Sequence, residues 1–172
     1  MRALILAAGK RGERGAARLL GLGITERIVA NLRKHLQPEQ IIVAGDPELL
    51  PPSRRQQVRF IDGRGADSAV VDGVLAGARE EDLLVLAGDQ VFHPELPGRM
   101  ARLAGERRRS VARDGLALYL RGGDAPDLPG DATLNRMATQ LIRAGLCEAL
   151  TDEELFAIRV AGAADREQAI RS

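Results

Sequence analysis

Aromatic side chains are scarce in this chain of 172 residues, where they make up 2% and tryptophan does not occur. Proteins that bind single-stranded nucleic acid rely on aromatic rings on which the bases stack. The formal net charge is only +1, so the molecule as a whole is not strongly attracted to nucleic acid or to a membrane surface. The composition therefore argues against a nucleic-acid-binding protein.

Cysteine and long apolar runs are also scarce. The single cysteine, Cys147, cannot form an internal disulfide, which is typical of a reducing compartment, and we interpret it as a small core residue. No apolar run approaches the ~18 residues of a membrane span. The apolar start MRALILAAG is too short for a signal peptide. We expect a cytoplasmic chain with no membrane span.

The sequence does contain a regular alternation of strand and helix patterns. Apolar runs such as 2–8 and 82–87 are typical of strands buried on both faces of a parallel sheet. Alternating strands and helices favour right-handed βαβ units, so we predict a three-layer α/β/α fold with a Rossmann-like, mostly parallel sheet. Residues 1–172 are predicted to form one domain, which stops as a piece of a longer protein would. Thr25 is predicted to cap a helix, and Asp165 with Gln168 to begin another.

Two loops stand out at the carboxyl ends of the predicted strands, where ligands bind in such sheets. The first covers residues 9–23, and we expect it to contain no helix. Its backbone N–H groups and cationic side chains suit an anion with several oxygens, above all a triphosphate. The alternative is a solvated glycine-rich loop in an arginine-rich protein. The basic residues in question are Lys10, Arg11, Arg14 and Arg18.

Two well-known phosphate-binding motifs do not account for this loop. The P-loop pattern G-x-x-x-x-G-K-[ST] is absent, because no lysine precedes a serine or threonine. The segment GRGADS at 63–68 has the spacing G-x-G-x-x-S, and no clear ribose-binding acid follows a second strand. A dinucleotide-dependent dehydrogenase is therefore disfavoured.

The second loop places Asp89 directly after a buried strand, in the sequence LVLAGDQVF. We expect this carboxylate to face solvent, where it could hold Mg²⁺ together with phosphate oxygens. The alternative is a turn aspartate that caps a following helix. His35 and His93 have no Cys or His partner at ligand spacing, so we interpret both as surface or packing residues rather than zinc ligands.

Together the two loops resemble the signatures of the nucleotidyltransferase superfamily. LILAAGKRGERGAARLLGLG is similar to L-A-A-G-x-G-x-R…K-P-L, and VLAGDQVF is similar to the second motif, a strand that runs into Gly-Asp. Members include sugar-phosphate nucleotidylyltransferases, molybdenum-cofactor guanylyltransferases and inositol-phosphate cytidylyltransferases. The resemblance is strong over the first half of the chain and holds only in outline beyond it.

The resemblance implies a reaction and a set of residues. A phosphorylated acceptor attacks the α-phosphate of a nucleoside triphosphate, and pyrophosphate leaves, with Mg²⁺ as cofactor. It implies that Arg14 contacts the β- and γ-phosphates, that Lys10 and Arg18 supply further positive charge, and that Asp89 holds the metal. The residues implied to contact the nucleotide are Ala8, Gly9, Gly12, Gly65 and Ser68.

The chain also departs from the family pattern. One extra residue precedes Gly12, and the family's catalytic lysine is replaced by Arg18, whose planar fork differs from a flexible ammonium. The second metal-binding acid of the family falls on Ala161, and only Asp165 remains nearby. The segment available to bind an acceptor is also short.

These features leave two functions open. The first is transfer of a nucleotidyl group, for which CMP is one candidate, to a phosphorylated sugar or polyol such as inositol phosphate. The second is a catalytically degenerate domain with a structural or regulatory role, fused to or associated with a membrane CDP-alcohol phosphotransferase. An intermediate case binds nucleotides without turnover. The base, the acceptor and the oligomeric state stay open.

Overall fold

The structure is a computed structural model that describes residues 1–123, 127–128, 130–151 and 155–160. Two features of the sequence analysis lie outside the described residues. They are the helix start predicted at Asp165 and Gln168, and Ala161, which stands where the family has its second metal-binding acid. No helix among the described residues is both long enough and apolar enough to cross a membrane.

A seven-stranded sheet forms the centre of the molecule, in the order β10-β8-β9-β6-β1-β4-β5. Strand β1 lies between β4 and β6 and is parallel to both, and β9 alone runs antiparallel to its neighbours. The mostly parallel sheet is therefore confirmed. Its strands are β1 (Arg2–Ala7), β4 (Gln40–Gly45), β5 (Arg59–Ile61), β6 (Leu83–Ala87), β8 (Ser110–Arg113), β9 (Ala117–Leu120) and β10 (Cys147–Ala149).

Alternation along the buried strands produces two cores, one on each face of the sheet. In β1, Ala3 and Ile5 face one core while Leu4 and Leu6 face the other, as the period of two along a strand requires. Leu4 and Ile5 are both 0% exposed. Full burial of such a side chain contributes about 1.5–3 kcal/mol, so both faces of β1 stabilise the fold.

Helices cover both faces, which confirms the three-layer α/β/α architecture. Helices α2 and α5 pack on the core that contains Ile5, and α4 and α6 pack on the core that contains Leu4. The helices are α1 (Lys10–Gly15), α2 (Ile24–His35), α3 (Pro52–Arg55), α4 (Asp67–Ala76), α5 (Leu96–Arg107) and α6 (Leu134–Arg143).

Two small ribbons lie beside the main sheet. Strands β2 (Arg18–Leu19) and β3 (Leu22–Gly23) form a hairpin whose two turn residues have positive φ, as a tight turn of this kind requires. Strands β7 (Gln90–Phe92) and β11 (Ala157–Arg159) pair antiparallel. This second ribbon carries Arg159 to the end of β6, next to Asp89.

Thr25 does not cap the first long helix, contrary to the prediction. Helix α2 begins at Ile24 with Gly23 as its N-cap residue, and no side chain caps it. The Thr25 hydroxyl instead donates to the carbonyl of Gly88 at 3.1 Å, and its side chain is fully buried. Thr25 therefore fixes α2 to the end of β6.

Candidate functional site

A cavity of about 650 Å³ opens at the carboxyl edge of the sheet. The ends of β1, β4 and β5 form its walls together with α1, and Ala8, Gly9 and Gly12 lie among its lining residues. Parallel α/β sheets bind their ligands beyond the carboxyl ends of the strands. The cavity is therefore where the sequence predicted a ligand site.

Glycines allow the strand ends to converge there. A Cβ atom on Gly45 would lie 2.6 Å from the carbonyl oxygen of Ala7, and one on Gly88 would lie 2.7 Å from the Cβ of Ala7. A Cβ on Gly63 would lie 2.6 Å from the carbonyl oxygen of Ala44. A residue with a Cβ does not fit at these three positions, so glycine allows the strand ends to lie this close together.

The glycine-rich segment is not the unstructured loop that we expected. Residues Lys10–Gly15 form α1, in which the N–H of Glu13 donates to the carbonyl of Gly9 at 3.2 Å. A Cβ on Gly12 would lie 2.5 Å from the carbonyl oxygen of Ala7. Gly12 therefore packs α1 against β1, besides lining the cavity.

Gly9 differs from Gly12 in its surroundings. Its φ is +56°, a conformation that favours glycine, and nothing lies within 4 Å of the position its Cβ would take. Gly9 and the half-buried Ala8 therefore leave backbone accessible at the cavity, as the resemblance implied for both residues.

An arginine–aspartate pair that the sequence analysis did not find fixes α1 to α4. Arg11 binds Asp67 through both terminal nitrogens, at 2.5 and 2.8 Å. Asp67 also accepts from the N–H of Leu134 at the start of α6, at 2.7 Å. The two residues of the pair are 56 positions apart, and no local pattern indicates the contact.

A second arginine–aspartate pair joins the two loops that the sequence singled out. The Nε of Arg14 donates to Oδ2 of Asp89 at 2.7 Å, and one terminal nitrogen of Arg14 contacts the same oxygen. The Nε of Arg159 lies 3.8 Å from that oxygen. The other oxygen, Oδ1, is buried and has no hydrogen-bond partner among the described residues.

Two expectations about Asp89 are wrong. We expected a solvent-facing side chain, but Asp89 is 0% exposed because β7 and β11 fold over the end of β6. The alternative role as a helix cap also fails, since the strand β7 follows Asp89 and the next helix, α5, has Glu95 as its N-cap residue.

The residues around Asp89 do not fit a magnesium ion as they are arranged. The free Oδ1 could supply one ligand, but a guanidinium already neutralises the carboxylate and a second lies close by. A dication bound to Oδ1 would lie close to the guanidinium of Arg14, whose charge offsets part of the attraction of the carboxylate. No group of three or more His, Cys, Asp or Glu side chains able to hold a metal occurs in the described part of the chain.

The remaining cations of the predicted site are available to a ligand. Lys10 and Arg18 are exposed, and neither side chain has a hydrogen bond or ion pair to another described residue. Lys10 begins α1, and Arg18 lies on β2 of the hairpin that follows it.

Gly65 and Ser68, which the resemblance implied to contact the nucleotide, lie in different surroundings. Gly65 has φ +108° and lines a smaller cavity of about 300 Å³, which also includes Gly9 and Arg11. Ser68 is buried, and its hydroxyl and N–H bind the backbone of Ala132 at 3.0 Å each. Ser68 thus has a structural partner, whereas Gly65 faces open space.

The larger cavity also contains acidic side chains that sequence reasoning missed. Glu13, Asp46, Glu48 and Asp62 line it, and Arg64 is the one cation among its described lining residues. Hydrogen bonds from Arg64 lower the pKa of Asp62 to about 2. These acids are dispersed over three segments of the sequence, so only the converging strand ends reveal them as one lining.

His93 and Cys147 have the structural surroundings that we expected. The Nδ1 of His93 accepts from the N–H of Glu95 at 3.2 Å, and its ring packs edge-on against Phe156. Cys147 is buried, and burial raises the pKa of its thiol to about 12. Neither side chain is prepared for metal binding or nucleophilic attack.

Comparisons with known proteins agree with this geometry. The family described as "MobA-like NTP transferase domain" matches residues 3–117. HddC from Yersinia pseudotuberculosis, solved with GMP-PN, superposes with a TM-score of 0.69 at 13% identity over 99% of this chain and 98% of its own. The 2-C-methyl-D-erythritol 4-phosphate cytidylyltransferase from Thermus thermophilus superposes with a TM-score of 0.61 at 18% identity, over 99% of this chain and 97% of its own. A search of curated proteins finds no match.

Proposed function

Since the chain belongs to the MobA-like NTP transferase domain family, we propose that its carboxyl-edge cavity binds a nucleoside triphosphate. The observation that carries this proposal is that Ala8, Gly9 and Gly12 of the predicted loop line the cavity at the carboxyl edge, while Lys10 and Arg18 of the same loop are exposed. The cavity of about 650 Å³ is large enough for a nucleoside, and typical small-molecule sites span ~300–1,000 Å³.

Charge divides the proposed site into two ends. Lys10 and Arg18, which have no partner among the described residues, offer positive charge that suits the polyphosphate. The acids of the larger cavity, such as Asp46 and Glu48, would repel phosphate and suit the hydroxyl and amino donors of a ribose and a base. We therefore place the nucleoside in the cavity, with Ala8, Gly9, Gly12 and Gly65 beside it.

The reaction that we propose is nucleotidyl transfer to a phosphorylated sugar or polyol, with CMP and inositol phosphate as candidate group and acceptor. Positioning and charge neutralisation carry such transfers, because the protein forms no covalent bond to the substrate. Arg14, Lys10 and Arg18 would orient the β- and γ-phosphates and offset the charge of the departing pyrophosphate.

Magnesium, which the resemblance implies, stays a prediction. When bound, the ion would neutralise phosphate charge, and Asp89 would be its protein ligand through Oδ1. In that role Asp89 would share its carboxylate between the ion at Oδ1 and Arg14 at Oδ2.

A second candidate function is supported by the ion pair itself. In a catalytically degenerate domain, Asp89 and Arg14 would serve the fold, and the domain would bind a nucleotide or a partner without turnover. The domain would then act in the cytoplasm as a structural or regulatory part, fused to or associated with a membrane CDP-alcohol phosphotransferase.

The test is a thermal titration of the protein with CTP, GTP, ATP and UTP, each with and without Mg²⁺. A nucleotide that binds only the native state stabilises it by about 2.7 kcal/mol at one hundred times its dissociation constant. We expect at least one nucleotide to raise the melting temperature. The shift should shrink in Lys10→Gln and persist in Lys34→Gln, which removes the other lysine of the chain.

A pyrophosphate-release assay on the same mixtures separates the two functions. Pyrophosphate release from the bound nucleotide in the presence of inositol phosphate or sugar phosphates supports the transferase. Binding without release supports the degenerate domain. If no nucleotide changes the melting temperature at millimolar concentration, the proposed nucleotide site is wrong.

A further inference from the structure

We propose that Arg14, Asp89 and Arg159 form a binding site for a polyphosphate anion that requires no divalent cation. This proposal rests on the nucleotide site proposed above and specifies how that site holds phosphate. We call these three residues the arginine cluster. Arg159 was not among the residues singled out from the sequence.

The first argument is the charge of the arginine cluster. Two guanidinium groups surround a single carboxylate, so the net charge is positive. Such a cluster attracts a polyphosphate and repels a free dication.

The second argument is exposure. The Asp89 side chain is 0% exposed, whereas those of Arg14 and Arg159 are 32% and 41% exposed. A ligand that arrives from solvent therefore meets guanidinium donors before it meets the carboxylate. The carboxylate lies behind the arginines, where it competes with a ligand for the donors of Arg14.

The third argument is the number of unused donors. Arg159 approaches Asp89 only through Nε, at 3.8 Å, which is beyond hydrogen-bond distance. Its terminal nitrogens have no hydrogen bond to any residue that the structure describes. A guanidinium carries five N–H donors in a planar fork that matches two phosphate oxygens.

The fourth argument is that backbone contacts position the arginine cluster in advance. Arg159 pairs with Gln90 across the β7–β11 ribbon, and the N–H of Val160 donates to the carbonyl of Asp89 at 2.8 Å. Gly15, next to Arg14, packs against the carbonyl of Gly88. The backbones of both arginines are thus anchored near the end of β6, which reduces the ordering needed when a ligand binds.

The test is calorimetric titration of the whole chain with inorganic pyrophosphate and, separately, with each of the four nucleoside triphosphates. Each titration is done once in EDTA and once in Mg²⁺. We expect pyrophosphate and at least one nucleotide to bind in EDTA. Asp89→Asn should tighten that binding by about tenfold, since it removes the negative charge that competes for both arginines.

Arg159→Gln should weaken binding in EDTA by about tenfold, because a fork of donors to phosphate is lost. Two controls match the change in charge at distant positions. Glu81→Gln removes an acid that is also paired with an arginine, and Arg102→Gln removes an exposed arginine on α5. Both controls should bind like the native chain.

Each contrary outcome has a distinct meaning. Binding that requires Mg²⁺ and is lost in Asp89→Asn overturns the metal-independent site but leaves the proposed function standing. Pyrophosphate binding without binding of any nucleotide overturns the proposed function and leaves the anion site. If Asp89→Asn does not fold, the test depends on Arg159→Gln. Equal affinities of Arg159→Gln and Arg102→Gln for pyrophosphate in EDTA overturn the proposal.

Discussion

Two arginine–aspartate pairs connect α1 to the rest of the molecule, and they differ in how fully the aspartate is satisfied. Asp67 accepts from both terminal nitrogens of Arg11 and from the N–H of Leu134, so both of its oxygens have partners. Asp89 is more deeply buried, yet only Oδ2 is bound while Oδ1 has no hydrogen-bond partner among the residues described.

The first pair is explained by the fold alone, whereas the second is the pair for which we propose a ligand. A buried acceptor without a partner costs about 1–3 kcal/mol, a cost that a hydrogen-bonding ligand or water removes. The Arg11–Asp67 pair joins α1, α4 and α6 without that cost. The Arg14–Asp89 pair carries it at the edge where ligands bind.

The largest effect is expected at the structural pair. Asp67→Ala leaves Arg11 without its partner in a largely buried position and removes a hydrogen bond to α6. We expect the free energy of unfolding to fall by about 3 kcal/mol, as measured by urea denaturation. The control Asp72→Ala, at an exposed position on the same helix, should stay within about 0.5 kcal/mol. If Asp67→Ala lowers the free energy of unfolding as little as Asp72→Ala does, the structural role of the pair is contradicted.

The next effect tests the helix that carries both arginines. In Gly12→Ala the new Cβ would lie 2.5 Å from the Ala7 carbonyl, so α1 must shift, and we expect a loss of about 2 kcal/mol. Gly73→Ala in α4 meets nothing within 4 Å and should stabilise the protein by about 1 kcal/mol. Equal midpoints of thermal unfolding in the two variants would show that α1 does not depend on this close packing.

A smaller loss of stability is expected at the Arg14–Asp89 pair. Asp89→Asn removes a buried charge that is only half satisfied, and the two arginines it releases are partly exposed to water. We expect the free energy of unfolding to change by about 1 kcal/mol or less. A loss as large as that of Asp67→Ala would make the two pairs equivalent and remove the basis for the comparison.

The smallest effect concerns a third pair, Asp62 with Arg64, which is exposed at the cavity. Because the pKa of Asp62 is lowered from 3.8 to about 2, its stabilising contribution is present above the unfolded pKa. That contribution is lost as the pH falls from about 4 to about 2, and salt screens it. NMR titration of Asp62 should show its pKa return toward 3.8 in Arg64→Gln. An unchanged pKa would contradict the assigned cause.

The sequence was sufficient to predict the three-layer fold, because strand periodicity and alternation depend on local patterns. It also singled out the two loops that the Arg14–Asp89 ion pair joins. It could not show that residues 10–15 are helical, since helix α1 is held by close packing of Gly12 and by the distant partner of Arg11. Arg159 was missed because only the β7–β11 pairing places it near Asp89.

The central claim is that the carboxyl edge holds a nucleotide with its phosphates at the arginine cluster. A crystal structure of the chain with a bound nucleoside triphosphate, grown in EDTA, tests it most directly. The account predicts phosphate oxygens within hydrogen-bond distance of Arg14 and Arg159, with the nucleoside in the cavity lined by Gly9. A nucleotide bound elsewhere on the molecule would contradict it, as would phosphates that contact neither arginine.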